Sequence, residues 1–212
     1  MELCRPERRN AIDPQAVAEL QEAISAEGSG VIILTADGPA FCAGGDLGVL
    51  QRAAATGNLV ETLTANAAAF ADLIESIVAL PRPVVCVLDG PAVGGGASLA
   101  LACDARIATP RARLELAWAR HGLPPDGHAT TLLAWVAGQE RAQALLAGAA
   151  TITVESDLAP KLFSGLVAKR PHADELLAAM RGRREAELKA LVAAVEGEVT
   201  SERLAVIYKI DK

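Results

Sequence analysis

The stretch "GPAVGGGASLALACD", residues 90–104, sets three consecutive glycines, Gly94, Gly95 and Gly96, directly before an apolar, alanine-rich helical pattern. Glycine loses more backbone freedom on folding than any other residue, so such a cluster at a helix start needs a physical reason. A helix N-terminus presents unpaired N–H groups and a partial positive charge, and without Cβ atoms a ligand can approach that backbone closely. Phosphate cradling fits poorly, because "VGGGAS" is neither GxGxxG nor a P-loop and no lysine follows. A hole for a developing oxyanion needs a second donor loop, and "FCAGGD", residues 41–46, could supply it. Close packing of helix on strand is the competing explanation, and spacing alone does not choose between the two.

Outward from this stretch the chain alternates. "VVCVLDG" (84–90) precedes it and "ARIAT" (105–109) follows; both read as buried strands, as does "GVIILTA" (30–36), which leads into the Gly-rich loop 37–47. Buried strand, glycine turn and helix in succession indicate an α/β fold with a parallel core. Residues 14–25 have helical spacing, with Asp13 as N-cap and Pro14 in the first turn. Helical patterns also cover 61–80, ending before "PRP" at 81–83, and 131–149, with a break expected near Gly138. The charged helical sequence after residue 170 reads as an appendage. We therefore divide the chain into a core, 1–170, and a C-terminal helical segment, 171–212, suited to oligomerisation through its Leu and Val stripe.

Composition limits the function classes. Aromatic residues make up only 3% of the 212, so alanine, valine and leucine must build the core. The net charge of −6, without a basic stripe or stacking platform, argues against nucleic acid. "MELCRPERRN" has no basic-then-apolar leader, which implies a cytoplasmic protein, and no uninterrupted apolar run suggests a membrane span. Cys4, Cys42, Cys86 and Cys103 lack CxxC spacing and nearby histidines, so no metal site is expected. Cys86 and Cys103 read as buried thiols; Cys42, in the Gly-rich loop, reads as more accessible but without a base to activate it.

Four segments occur in a telling order: "RPERRNAID" (5–13), "GPAFCAGGDL" (38–47), "RPVVCVLDGPAVGGGASLALACDARIAT" (82–109) and "HGLPPDGHATTLL" (121–133), with "SGLVAK" (164–169) later. Together they resemble the crotonase superfamily, the enoyl-CoA hydratases and isomerases, over most of residues 5–170. The resemblance implies a crotonase-like ββα spiral, assembled as a homotrimer or dimer of trimers. It implies an acyl-CoA substrate, with coenzyme A as part of the substrate and no separate cofactor. The two amides holding the thioester oxygen would be those of Ala43 and Gly95. Gly44, Gly45, Asp46 and Gly94 would complete the acyl-CoA-binding surface, Arg5 and Arg8 (or Arg9) would meet the CoA phosphates, and residues 51–70 would shape the acyl pocket.

The chain also departs from that pattern. The two glutamates of the hydratases fall at Ser98 and Trp118, and neither side chain can exchange protons at neutral pH as a carboxylate does. Asp126, in "LPPDGHA", is the remaining acidic candidate; Pro-Asp-Gly is also a plain turn sequence. Relatives in the 4-chlorobenzoyl-CoA dehalogenase branch place a tryptophan eight positions before a nucleophilic aspartate, the spacing of Trp118 and Asp126, and the naphthoate synthase branch has an Asp-Gly pair in this loop. The dehalogenase base, a histidine on the helix before "RPV", has no counterpart; Glu75 lies near that turn. His121 and His128 flank the loop instead, and His128 is the candidate base. Glu115 reads as a salt-bridge partner, Asp46 as a cap and Asp104 as structural.

The reading that follows is an acyl-CoA-processing enzyme with Asp126 as acid/base or nucleophile, closer to an isomerase, hydrolase or dehalogenase than to a standard hydratase. The alternative is a weak or inactive paralogue serving as accessory subunit to an active homologue. Both glutamates are missing, the chain starts almost at "RP..RNA" without the family's usual preceding strands, and its C-terminal region is short and charged. A non-enzymatic binder of CoA ligands ranks third.

Overall fold

In the computed structural model, residues 1–26, 28–163 and 173–197 are described. The chain runs β1 (Glu2–Leu3), α1 (Pro14–Ser25), β2 (Ile32–Ala36), α2 (Leu47–Ala55), α3 (Leu59–Ala79), β3 (Val84–Leu88), β4 (Pro91–Val93), α4 (Gly95–Ala102), β5 (Ala105–Ala108), β6 (Arg113–Glu115), α5 (Ala129–Ala137), α6 (Gln139–Ala147), β7 (Thr151–Thr153), α7 (Ala159–Leu162) and α8 (Ala173–Gly197), with 3-10 turns at Pro6–Arg8 and Ala117–His121. The "SGLVAK" segment and residues 198–212 lie outside the described residues.

The three strands legible in sequence form the parallel core. Strand order is β1-β2-β3-β5, and every pairing is parallel. Strand β3 is apolar because it is central: Val84, Cys86 and Leu88 face the interior, and Val85 on the other face is also buried. Its flanking neighbours are covered on one face only. Ile32 and Leu34 are buried, while Val31, Ile33 and Ile107 are roughly half exposed. A smaller sheet, β4-β6-β7, pairs β4 and β6 in parallel and β6 and β7 antiparallel. The two-residue β1 and these three-residue strands are too short to carry a period that sequence reading can detect.

Helix α1 starts as its sequence specifies: Asp13 Oδ1 accepts from the Ala16 amide at 2.8 Å, and Val17, Leu20 and Ile24 turn inward. Gly138, at φ 86°, divides the 131–149 pattern into α5 and α6. Helix α3 is long and apolar enough to cross a bilayer on length and composition alone, contrary to the sequence expectation. Here it is the central packing helix, in contact with α1, α2, α4 and α8.

The C-terminal segment corrects the view of it as an appendage. Helix α8 packs on α3 and α5, burying Leu176, Leu177, Met180 and Leu191. Arg181 and Arg184 reach Glu75 at 3.1 and 3.2 Å, and Arg184 reaches Asp72 at 2.6 Å. An amphipathic stripe predicts that a helix packs, without saying on what.

Two polar side chains, Asp104 and the buried Arg106, pin the core sheet. Asp104 Oδ2 accepts from the Val84 amide at 2.8 Å, the structural role expected of it. Arg106, beside Cys86 on the inner face, donates to the carbonyls of Ala100 (3.2 Å), Cys103 (2.6 Å) and Leu162. Arg106→Leu strands those carbonyls, so urea denaturation should show a loss of about 3 kcal/mol, the scale of a charge-assisted hydrogen bond plus unpaired buried acceptors.

Candidate active site

The glycine-rich turns meet through their backbones. The Cys42 amide donates to the Pro91 carbonyl at 3.2 Å, and the Val93 amide donates to the Cys42 carbonyl at 2.9 Å. This short ladder draws the 41–46 loop against the start of α4. Gly96 is needed for that approach, since a Cβ there would sit 2.4 Å from the Cys42 oxygen. Tight packing and a bare helix start thus belong to different glycines of the same triplet.

Geometry reassigns one of the two expected donors. The Ala43 amide is committed to the Arg9 carbonyl at 2.9 Å and cannot serve a ligand. The next amide but one is different. Ile12 pairs in parallel with Gly45, donating to the Gly44 carbonyl at 2.7 Å and accepting from the Asp46 amide at 2.8 Å. In a parallel bridge the central residue's own N–H turns away from its partner. The Gly45 amide therefore faces the other side, and among the described residues no acceptor meets it or the Gly95 amide. The two are close: an ideal Cβ on Gly95 would lie 3.8 Å from the Gly45 nitrogen. The two neighbouring amides left without an acceptor are those of Gly45 and Gly95. The sequence reading fixed on the wrong residue of "CAGGD" because the Arg9 contact comes from a distant segment.

Both amides line a cavity of about 170 Å³. Trp118, Asp126 and His121 line it from the 117–126 region, and Asn66 and Phe70 from α3. Leu50, Leu63, Leu123 and Leu191 make its apolar wall, with Leu191 coming from α8. Asn66, which the sequence reading did not single out, brings an amide side chain into this lining; the apolar run around it gave no signal.

Asp126 and Trp118 are brought together as their spacing suggested. Trp118 Nε1 donates to Asp126 Oδ1 at 2.8 Å. Burial raises the Asp126 carboxyl above its ordinary range, and the indole N–H partly offsets that by favouring the carboxylate. Ser98, at the position of a hydratase glutamate, is wholly buried and donates to the Asp126 carbonyl at 3.0 Å. Its role is to hold the loop. Gly127, next along, is at φ 57°, and a Cβ there would overlap the Phe70 ring at 2.3 Å.

Of the other expected residues, Ala43, Gly44, Asp46 and Gly94 also line the cavity, whereas His128, Glu75, Arg5 and Arg8 do not. His128 is fully buried behind the loop, with Nε2 3.2 Å from Glu75 Oε1, so neither His128 nor Glu75 faces the site. Arg5 is engaged by Asp13 and the Ala11 carbonyl and does not line the cavity. Arg8 is half exposed and pairs with Asp46 at 2.6 Å; Asp46 also caps α2 through the Gly48 amide at 2.8 Å. Gly44 and Gly94 support the turns: Gly44 accepts from Ile12, and the Gly94 amide donates to the Glu115 carbonyl at 2.9 Å. Glu115 pairs with Arg113 and Arg120 at 2.7 and 3.6 Å, as expected of it. Cys42 is buried, contrary to expectation, and burial pushes its thiol up to about 12, far from a thiolate nucleophile. Among the described residues, no three His, Cys, Asp or Glu side chains gather as metal ligands would.

Two substitutions separate packing from site. Gly96→Ala should destabilise the fold by about 1–3 kcal/mol through overpacking, whereas Gly45→Ala, whose Cβ meets nothing within 4 Å, should leave the denaturation midpoint unchanged. Trp118→Phe should raise the Asp126 pKa further, because the lost N–H stabilised the ionised form; a carboxyl-resolved NMR titration reads the shift.

Comparison with known proteins agrees with this geometry. The enoyl-CoA hydratase/isomerase family matches residues 1–207. A protein of Mycobacterium bovis named as a probable enoyl-CoA hydratase is 39% identical over 159 residues, covering 73% of this chain and 61% of that protein. The 1,2-epoxyphenylacetyl-CoA isomerase of Escherichia coli is 35% identical over 147 residues, covering 68% of this chain and 56% of the isomerase. The chain thus spans about three-fifths of the length of the curated relatives it matches. The crystal structure of an enoyl-CoA hydratase from Bacillus halodurans superposes with a TM-score of 0.80 at 24% identity, over 97% of this chain and 94% of that one. Mixed α/β architecture, paired glycine turns and these matches agree: the chain belongs to the enoyl-CoA hydratase/isomerase family.

Proposed function

We propose that the chain processes acyl-CoA thioesters by enolate chemistry with a single carboxylate, as an isomerase does. The observation that carries this reading is the pair of free amides, Gly45 and Gly95, lining the same cavity as Asp126. Two N–H donors at the thioester oxygen would stabilise the negative charge that develops when a proton leaves Cα. Asp126 would take that proton from a 3-enoyl thioester, the electron pair would move into the carbonyl as a dienolate, and the same carboxyl would return the proton at Cγ. One group suffices for both transfers. Concerted hydration by two glutamates finds only Ser98 and Trp118 in their places. Elevation of the Asp126 pKa by burial moves its basicity towards that useful near neutral pH.

The Trp118–Asp126 hydrogen bond favours a second reading, in which the free Oδ2 attacks the substrate to form an aspartyl ester. A relative in Arthrobacter, 32% identical over 142 residues, is named a 4-chlorobenzoyl coenzyme A dehalogenase. Hydrolysis of such an ester needs a base to activate water, and His128, enclosed behind the loop, cannot reach it. Arg8, beside the cavity-lining Asp46, is the remaining candidate for the CoA phosphates. On this reading the chains assemble as a homotrimer or a dimer of trimers.

The test uses 3-enoyl-CoA thioesters and follows α-proton exchange with deuterated water together with migration of the double bond. Asp126→Asn should lower kcat by about 10²–10⁴-fold, the usual contribution of a general base, while calorimetry shows thioester binding within a few-fold of wild type. An aspartyl ester trapped by mass spectrometry would select the second reading. Thioester binding without turnover, with stimulation of a co-expressed homologue, would select the accessory subunit.

A further inference from the structure

The chemistry proposed for the cavity leaves one of its polar side chains unused. Asp13 and Asp46 line the cavity, but each is spent on a helix cap and an arginine: Asp13 on the Ala16 amide and Arg5, Asp46 on the Gly48 amide and Arg8. Trp118 and Asp126 hold one another, and His121 is engaged within the chain. Asn66 is half-buried in the same lining, and its carboxamide has no hydrogen-bond partner among the described residues. Its place on α3 makes that costly. Leu63 and Phe70 stand one turn to either side of it and Ala67 beside it, and all three are buried. Asparagine is a poor helix former, and an amide withdrawn from water without a partner loses free energy. A leucine would fill the position without either cost, so the amide calls for a partner that the chain itself does not supply.

The cavity orders what Asn66 would meet. At one end the Phe70 ring lies against Gly95, its Cε1 3.4 Å from where a Cβ on that glycine would be, so Phe70 marks the position of the two unpaired amides. At the other end Leu50, Leu63, Leu123 and Leu191 form the apolar wall, and Leu63 packs with Ala67 and Leu191 in a cluster apart from the main core. Asn66 stands between the two, four residues before Phe70, or about 6 Å along the helix axis. We propose, on the acyl-CoA reading, that Asn66 determines acyl specificity: the cavity selects thioesters whose acyl chain carries a hydrogen-bonding oxygen, a hydroxyl or a carbonyl, several bonds beyond the thioester carbon and followed by apolar carbon. A carboxamide suits either oxygen, because its N–H groups donate to both and its own oxygen accepts from a hydroxyl. A plain hydrocarbon chain laid over Asn66 would strand the amide away from water. Discrimination therefore works from both sides, through a bond gained with one substrate and a polar group left unpaired with the other.

Titration calorimetry reads this preference without turnover. The probes are octanoyl-CoA and its hydroxyoctanoyl counterparts, with the hydroxyl moved one carbon at a time along the chain. At one position the hydroxyl should tighten binding about ten-fold over octanoyl-CoA. Asn66→Leu should erase that advantage, and Asn66→Gln, longer by a methylene, should move the preferred position along the chain. A merely structural Asn66 would change the affinity of every thioester by the same factor and leave their ratios in place, which overturns the inference. Octanoyl-CoA bound by the wild type with no hydroxyl position favoured also overturns it, and leaves the acyl-CoA reading standing. Failure to bind any of these thioesters overturns both. A hydroxyl preference in a chain that exchanges no α-protons supports the role of Asn66 and sinks the enolate reading instead.

Discussion

Two backbone hydrogen bonds made by Cys42, one to Pro91 and one from Val93, hold the site together. They join a loop that follows β2 to the turn that opens α4, segments some fifty residues apart in the chain. Only when they close do the Gly45 and Gly95 amides share one cavity. The constraint reaches outward in both directions. Gly96 must be glycine because the Cys42 oxygen occupies the space of its side chain, and Ile12 must pair with Gly45 to turn that amide inward. The two amides are rigidly placed for this reason: each is fixed by neighbours that are themselves paired.

Beside these amides the Asp126 turn is held in place by its neighbours. Ser98 is small enough for the Asp126 turn to lie against it and hydrogen-bond to it, and Gly127 lets that turn pass the Phe70 ring. Trp118 holds the side chain of the turn by donating to the Asp126 carboxylate. Ser98, Trp118 and Asp126 thus form one hydrogen-bonded unit.

Helix α8 closes the molecule in a way that joins stability to the site. Its arginines pair with α3, its Leu191 contributes to the cavity wall and its Glu187 lies behind the Asp126 loop. Such a helix cannot leave without opening the apolar end of the cavity and exposing His128. The charged face that reads in sequence as solvated is partly spent inside the chain.

The sequence by itself determined the parallel α/β core, the break at Gly138, the cap at Asp13 and the partnership of Trp118 with Asp126. These depend on local periodicity, on backbone restrictions of single residues or on motifs of fixed spacing, all of which are properties of short segments. Which amide of "CAGGD" is free, which side of its loop His128 takes, how Arg5 is used and where α8 packs were decided only by tertiary structure. Each of those turns on a partner far along the chain: Arg9 for Ala43, Glu75 for His128, α3 for α8. A backbone donor looks the same in sequence whether it is committed or free, and only the position of its distant acceptor tells the two apart.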